Sequence, residues 1–329
     1  MRRLLVAAAV LGLLGGAGAA PLKDWRRGVN LEGWLGGGPF RPLDAAQLSQ
    51  LGQIRAAGFD FVRVPLDPAL LIEASASSDE PGRSLDRLLG AARARGLGVL
   101  VAVAPDPGLK RKVLLGGMAR DTHLVLLERL AARMVAARLP RAMIEPLDEP
   151  VDPGRRDCGP STFDWNAALS AFVRAVRRAA PALPVLVSGI CYADADSILD
   201  LRPLADRNVV YGFQYLNPLD FTQQGNPSND DWKRLKGVPY TVNDARAMRR
   251  SFEAVGHWSR RYGVPVLLTS FAVHTSAPSA ERLRWLRDVR TLAEGQHFAW
   301  AAWSWQSPFG FGISGGGKVP ARLKQVLGL

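Results

Sequence analysis

The sequence predicts a single (β/α)8 barrel of the TIM type. Three observations lead there: eight short, mostly continuous apolar segments, helical patterns between most of them, and no G-x-G-x-x-G fingerprint after the first. The strand candidates are 28–31, 61–64, 98–103, 142–147, 184–188, 209–215, 265–269 and 299–303. Runs that are apolar throughout suit a parallel sheet covered on both faces. Helical spacing appears at 43–57 through Leu48, Leu51 and Ile54, at 84–95, and at 121–138 through Leu124, Leu127, Leu130 and Met134. It continues at 163–180, 244–262 and 279–294. Gly58, Gly96 and Gly263 stand where helices end, as C-terminal caps do. This count and order favour a closed barrel over an open doubly wound sheet. The longer connections follow the fourth and sixth strands, on the face where barrels carry function.

The N-terminus reads differently. Arg2 and Arg3 precede an apolar run, 4–14, and small residues lead through Ala17 and Ala19 to Ala20. That is a secretory signal over residues 1–20, leaving one domain over 21–329. The run is too short to anchor stably in a bilayer, and Gly15, Gly16 and Gly18 weaken the competing reading of a buried helix. No later segment is apolar enough to span a membrane, so the expected location is secreted or periplasmic. In that oxidising setting Cys158 and Cys191 are expected to form one disulfide, the alternative being two unpaired thiols. The formal net charge is +12, and about +10 by the same count without Arg2 and Arg3. Acidic polysaccharide or an anionic envelope surface would suit a basic secreted protein. The arginines are nevertheless spread over helix faces, without the aromatic-interleaved basic cluster of a nucleic-acid binder. No cofactor and no metal ligand set is expected, and the chain is expected to act as a monomer.

The strand ends carry the chemistry. Asn30, Glu32 and Trp34 follow the first strand, Arg63 lies in the second, and Asp148 and Glu149 follow the fourth. Gln214 and Tyr215 end the sixth, Ser270 follows the seventh, and Trp303 and Trp305 close the eighth. Carboxylates beside tryptophans suggest carbohydrate, because sugar C–H faces stack on aromatic rings and paired carboxylates cleave glycosidic bonds. Trp34, Trp232, Trp303 and Trp305 are the candidate platforms, with core or rim packing as the competing reading for each.

Six segments resemble glycoside hydrolase family 5, the cellulase-type (β/α)8 enzymes. GVNLEGWLGG (28–37) looks like the family's opening, and RAAGFDFVRVPLDP (55–68) resembles its second strand with an active-site arginine. IEPLDEP (144–150) resembles the strand-four signature ending Asn-Glu-Pro, and VVYGFQYLNPLDFTQQG (209–225) the strand-six segment with its His and Tyr. GVPVLLTSFAV (263–273) resembles the strand-seven segment ending Gly-Glu-Phe, and AWAAWSWQ (299–306) the strand-eight tryptophan segment. The resemblance implies a polysaccharide or oligosaccharide partner, Glu149 as general acid/base, and Arg63, Asn30, Gln214 and Tyr215 as substrate-binding positions beside the tryptophans.

The departures matter as much. Ser270 stands where the resemblance places the nucleophilic glutamate. Ala104 replaces a third-strand His, Asp148 the Asn before the acid/base, Gln214 the strand-six His, and Leu216 a Tyr. A retaining glycosidase needs two carboxyl groups about 5–5.5 Å apart, and a neutral serine cannot supply the second. No motif places a histidine to activate Ser270; His274, four residues on, is the nearest in sequence. Asp148, Glu145 and Glu32 are the other carboxylates in reach. Glu32, at about 6.5–9.5 Å from Glu149, would activate water for inversion; the favoured reading is that it pairs with Arg63. Two functions stay open: hydrolysis of O-glycosyl bonds in a β-linked polysaccharide, with Glu149, Ser270, Glu32 and Asp148 as the catalytic candidates, or a non-catalytic relative that binds or guides polysaccharide in an envelope or exopolysaccharide system.

Overall fold

The computed structural model describes residues 22–72, 79–155, 158–159 and 162–329. The expected signal segment, 1–20, lies outside the described residues. The strands are β1 (Arg27–Asn30), β2 (Phe61–Leu66), β3 (Gly98–Val103), β4 (Ala142–Glu145), β5 (Val185–Ser188), β6 (Val209–Tyr215), β7 (Val266–Phe271) and β8 (Ala299–Ala302). Each pairs in parallel with the next, and β8 returns to β1, so the sheet closes as a (β/α)8 barrel. The main surrounding helices are α1 (Ala45–Ala57), α3 (Glu80–Ala94), α5 (Gly117–Ala136), α6 (Trp165–Ala179), α9 (Val242–Tyr262) and α10 (Ser279–Gly295). Shorter ones are α2 (Ala69–Ile72), α4 (Pro107–Leu115), α7 (Leu219–Thr222), α8 (Asp230–Arg234) and α11 (Ala321–Leu327).

Local chemistry explains these boundaries. Asp44 and Gln47 form a capping box at the start of α1, and Thr241 and Asp244 do the same for α9. Gly58 and Gly263 then end those helices at φ 111° and 63°, in the left-handed region that glycine enters without a Cβ clash. The sequence pattern misses α4, whose first turn is set by Asp106 accepting from the Gly108 and Leu109 amides. No helix joins β5 to β6, and residues 189–208 run instead as turns over the barrel mouth.

Two apolar cores result from strand alternation. Outward-facing residues such as Val62, Val99, Val185 and Leu268 pack under the helices. Inward-facing Phe61, Leu100, Met143, Leu186, Val210 and Leu267 fill the lower barrel, and Trp25 stacks on Phe61 at 4.8 Å beneath them. Gly28 makes room for that ring, since a Cβ there would sit 2.3 Å from Phe61. Above this plug the interior turns polar, at Asn30, Arg63 and Glu145. A filled lower barrel leaves only the C-terminal mouth available for a site.

Cys158 and Cys191 are bonded, with Cα atoms 5.5 Å apart and a sequence separation of 33. The bridge joins the loop after β4 to the loop after β5. By chain entropy, opening it should cost about 3–4 kcal/mol of stability. Denaturant melts of the native chain and of the Cys158→Ala/Cys191→Ala variant measure this, and identical midpoints would show that the bridge is thermodynamically idle.

Candidate active site at the barrel mouth

Arg63 is the centre of the mouth. Its guanidinium is 2% exposed. Nε donates to Glu145 Oε2 at 2.9 Å, Nη1 to Asn30 Oδ1 at 3.1 Å, and Nη2 to Asp148 Oδ1 at 2.5 Å. Asn30 in turn donates to the carbonyls of Thr269 (3.0 Å) and Ala302 (3.2 Å). These contacts fix Arg63 as a positioning group for Asp148, and only the edge of the guanidinium reaches the cleft. Glu145 Oε1 is buried without a hydrogen-bond partner. Burial pushes the Glu145 carboxyl up, to about 8, against the pull of Arg63.

The expected Glu32–Arg63 pair does not form. Arg63 is already engaged by Glu145 and Asp148, on and just after β4. Glu32 instead accepts from the Ser304 hydroxyl at 3.1 Å, and from Ser307 and Trp303, on the loop after β8. Burial raises its proton affinity above that of an ordinary carboxylate.

Glu149 faces the same cleft. Its backbone sits at φ 48°, a left-handed conformation that costs a non-glycine residue roughly 1–3 kcal/mol. Three contacts hold it there. Gln214 Nε2 donates to Glu149 Oε1 at 3.0 Å and also to the Tyr192 carbonyl, while Lys110 Nζ donates to the Glu149 carbonyl at 2.9 Å. Burial first, and the Asp148 charge second, push the Glu149 carboxyl up. A raised proton affinity suits a carboxyl to general acid catalysis.

Ser270 reaches the cleft through an irregularity that the sequence pattern does not show. Strict alternation from Leu267, which faces the barrel interior, would turn Ser270 toward the helices. The β6–β7 register shifts instead, from Phe213 opposite Leu268 to Gln214 opposite Ser270, leaving Thr269 as the extra residue of a bulge. Both Gln214 and Ser270 therefore line the mouth. His274 does not serve Ser270: its Nδ1 accepts the Ser276 amide at 3.1 Å and its ring packs on Phe311 at 5.2 Å.

Glu32, Arg63, Asp148, Glu149, Gln214 and Ser270 thus share one cleft of about 730 Å3, together with Trp232 and Trp303. Three other expected site residues lie elsewhere. Trp305 is fully buried, with Nε1 donating to Gln50 of α1 at 3.0 Å. Tyr215 faces the helix layer, stacked on Trp285 at 6.2 Å. Trp34, 6% exposed, borders a separate pocket in the loop before α1. Asn30 sits beneath the cleft as a support for Arg63. The cleft also holds Tyr192, Asp194 and Phe309, which the sequence reading did not single out. Tyr192 directly follows the candidate disulfide residue Cys191 and Asp194 lies three residues after it, and that proximity was the available signal. Among the described residues no group of three or more His, Cys, Asp or Glu is arranged to hold a metal ion, and no helix is long and apolar enough to cross a membrane.

A (β/α)8 barrel with acids and aromatic rings gathered in its C-terminal mouth defines a carbohydrate-active class. The chain belongs to the cellulase family, glycosyl hydrolase family 5, whose model matches residues 28–308. Among curated proteins it is similar to Endoglucanase C of Acetivibrio thermocellus, with 24% identity over 215 residues, 61% of this chain and 60% of that protein. It is also similar to Cellodextrinase A of Ruminococcus flavefaciens, with 22% identity over 279 residues, 81% of each chain. Among solved structures, cellulose synthase subunit Z of Clostridioides difficile superposes with a TM-score of 0.81 at 23% identity, covering 92% of this chain and 99% of that one. Endoglucanase Cel5A of Thermotoga maritima does so with 0.80 at 20% identity, covering 92% and 96%.

The raised Glu145 carboxyl makes a pH prediction. The folded chain holds this proton more tightly than the unfolded chain, which releases it near 4.5. The contribution to stability is therefore complete below about 4.5 and is lost as pH rises through about 8. Thermal midpoints should show a downward component across that window, and Glu145→Gln should flatten it. A slope unchanged in Glu145→Gln would contradict this assignment.

Proposed function

We propose that this protein binds a β-linked polysaccharide along the cleft and does not perform the double displacement of a retaining glycosidase. The observation that carries the reading is Ser270 in the cleft that also holds Glu149. Where a nucleophilic carboxylate is expected, the cleft holds a hydroxyl. A hydroxyl does not supply the negative charge that stabilises an oxocarbenium-like transition state. Arg63 is occupied by Asn30, Glu145 and Asp148, which leaves it poorly placed to orient a substitute nucleophile. The platforms remain, in Trp232 and Trp303. The printed activities of the curated relatives, an endoglucanase and a cellodextrinase, make β-glucans the first ligands to examine. The disulfide and the expected signal segment support a secreted or periplasmic location, where the protein would act as a monomer guiding polysaccharide in an envelope or exopolysaccharide system.

A second reading is favoured by one observation: Glu32 and Glu149 share the cleft. Glu149 would then be the acid, and Glu32 the base that activates water for a single, inverting displacement.

Incubation with soluble β-glucans and aryl glycosides separates the two. The binding reading expects no new reducing ends, together with calorimetric binding that Trp303→Ala weakens by about 1 kcal/mol. Hydrolysis abolished by Glu149→Gln and by Glu32→Gln, but not by Ser270→Ala, would overturn it in favour of inversion.

The variant Ser270→Glu should not acquire full retaining activity. Ala104, Gln214 and Leu216 would leave the new carboxylate without the neighbours that tune its protonation. A glycosyl-enzyme trapped in that variant, with ordinary turnover, would show that a single residue separates this chain from a working retaining enzyme.

A further inference from the structure

The cleft has the opposite charge to the chain that builds it. Lys and Arg number 42 against 30 Asp and Glu. Yet four carboxylates line the cleft, Glu32, Asp148, Glu149 and Asp194, against the single cation Arg63. Arg63 is already spent on Glu145 and Asp148. Glu32, Glu149 and Asp194 form no ion pair within 4 Å among the described residues, and Glu149 alone feels nearby cations, Lys110 and Arg63. Their hydrogen-bond donors are neutral: serine and tryptophan side chains for Glu32, Gln214 for Glu149, and the Asp196 amide (2.8 Å) with Asn217 for Asp194.

A second feature is independent of these acids. Ser270 lines the cleft, 7% exposed, and its hydroxyl makes no hydrogen bond to another described side chain or carbonyl, so it is open to a ligand from the cleft. The walls add the rings of Tyr192, 49% exposed, and Phe309, 42% exposed, beside Trp303. Exposed rings on a cleft wall accept either a sugar face or a cation.

We infer that the ligand is a β-linked glycan carrying free amino groups, a polymer of de-N-acetylated amino sugar, held by the unpaired carboxylates Glu32, Glu149 and Asp194 with the Ser270 hydroxyl as a further acceptor. This rests on the reading of the cleft as a glycan-binding site and names the sugar class. An ammonium offers three donors and a charge to groups that only accept. A glucose hydroxyl would donate to the same carboxylates without bringing a compensating charge. Burial raises the proton affinity of Glu32, Glu149 and Asp194, and a bound cation would relieve that cost. The basic outer surface repels the same polymer, so favourable contact is confined to the cleft.

The test is calorimetry on the mature chain in mildly acidic buffer, where the amines carry protons. The probes are β-1,4-linked oligomers of equal length built from glucosamine, N-acetylglucosamine or glucose. The glucosamine oligomer should bind at least about tenfold tighter than the other two, with the margin shrinking as salt is added. Asp194→Asn and Glu32→Gln should each cut that margin several-fold. Glucose-oligomer binding with no amine preference would overturn this inference and leave the glycan reading standing. Binding of none of the three would overturn both. An amine preference untouched by either substitution would remove these carboxylates from the assignment.

Discussion

A guanidinium buried inside a closed barrel must be neutralised where it lies, and Arg63 imposes that requirement on the whole mouth. Removing such a charge from water costs several kcal/mol unless acids and acceptors surround it in good geometry. The chain meets this from five strands: Arg63 on β2, Asn30 on β1, Glu145 on β4, and the carbonyls of Thr269 on β7 and Ala302 on β8. Only a closed sheet brings those five together. The apolar plug below, centred on Phe61 and Leu100, keeps water away from the cluster and directs its one free edge upward, through Asp148, into the cleft.

From Asp148 the chain turns through Glu149 in a left-handed conformation, and the surrounding contacts hold the strain. Gln214 joins the Glu149 carboxyl to the Tyr192 carbonyl, and the Tyr192 amide donates to the Pro150 carbonyl at 2.9 Å. Tyr192 and Ala193 are also left-handed, at φ 51° and 56°. Next to them Cys191 is bonded to Cys158. Strained residues persist when several constraints agree on them. Here the disulfide, the Gln214 amide and a backbone bridge between Val151 and Cys191 all bind the loop after β4 to the loop after β5. The wall that presents Glu149 is therefore built from two loops acting as one.

The departures from the family pattern are coupled through the same cluster. With Ser270 in place of a carboxylate, the mouth loses a negative charge on β7. Asp148, where the resemblance expects an asparagine, adds one beside Arg63. The acids of the mouth thus gather beside Arg63 and Glu149, and β7 contributes none.

Much was legible in the sequence because it depends on local spacing. Apolar runs marked the strands, glycines marked the helix ends, and motif order placed Arg63, Glu149, Ser270 and Trp303 on one face. Other placements depend on where a strand stops or slips. Trp303 and Trp305 are two apart and would share a face in a continuing strand. But β8 ends at Ala302, and the Trp305 amide turns to the Asn30 carbonyl, sending its ring under α1. Tyr215 points outward because its neighbour Gln214 points inward, an alternation that could have been read directly from the segment. Glu32 goes to the loop after β8 and not to Arg63, because barrel closure makes β8 the neighbour of β1. By itself the sequence determined the number and kind of elements and which chemical groups reach the mouth, since backbone periodicity and side-chain identity are properties of short segments. Only the tertiary structure decided which acids face Arg63, which rings remain free, and that a bulge at Thr269 turns Ser270 into the cleft, since closure and register are settled by contacts between residues far apart in the chain.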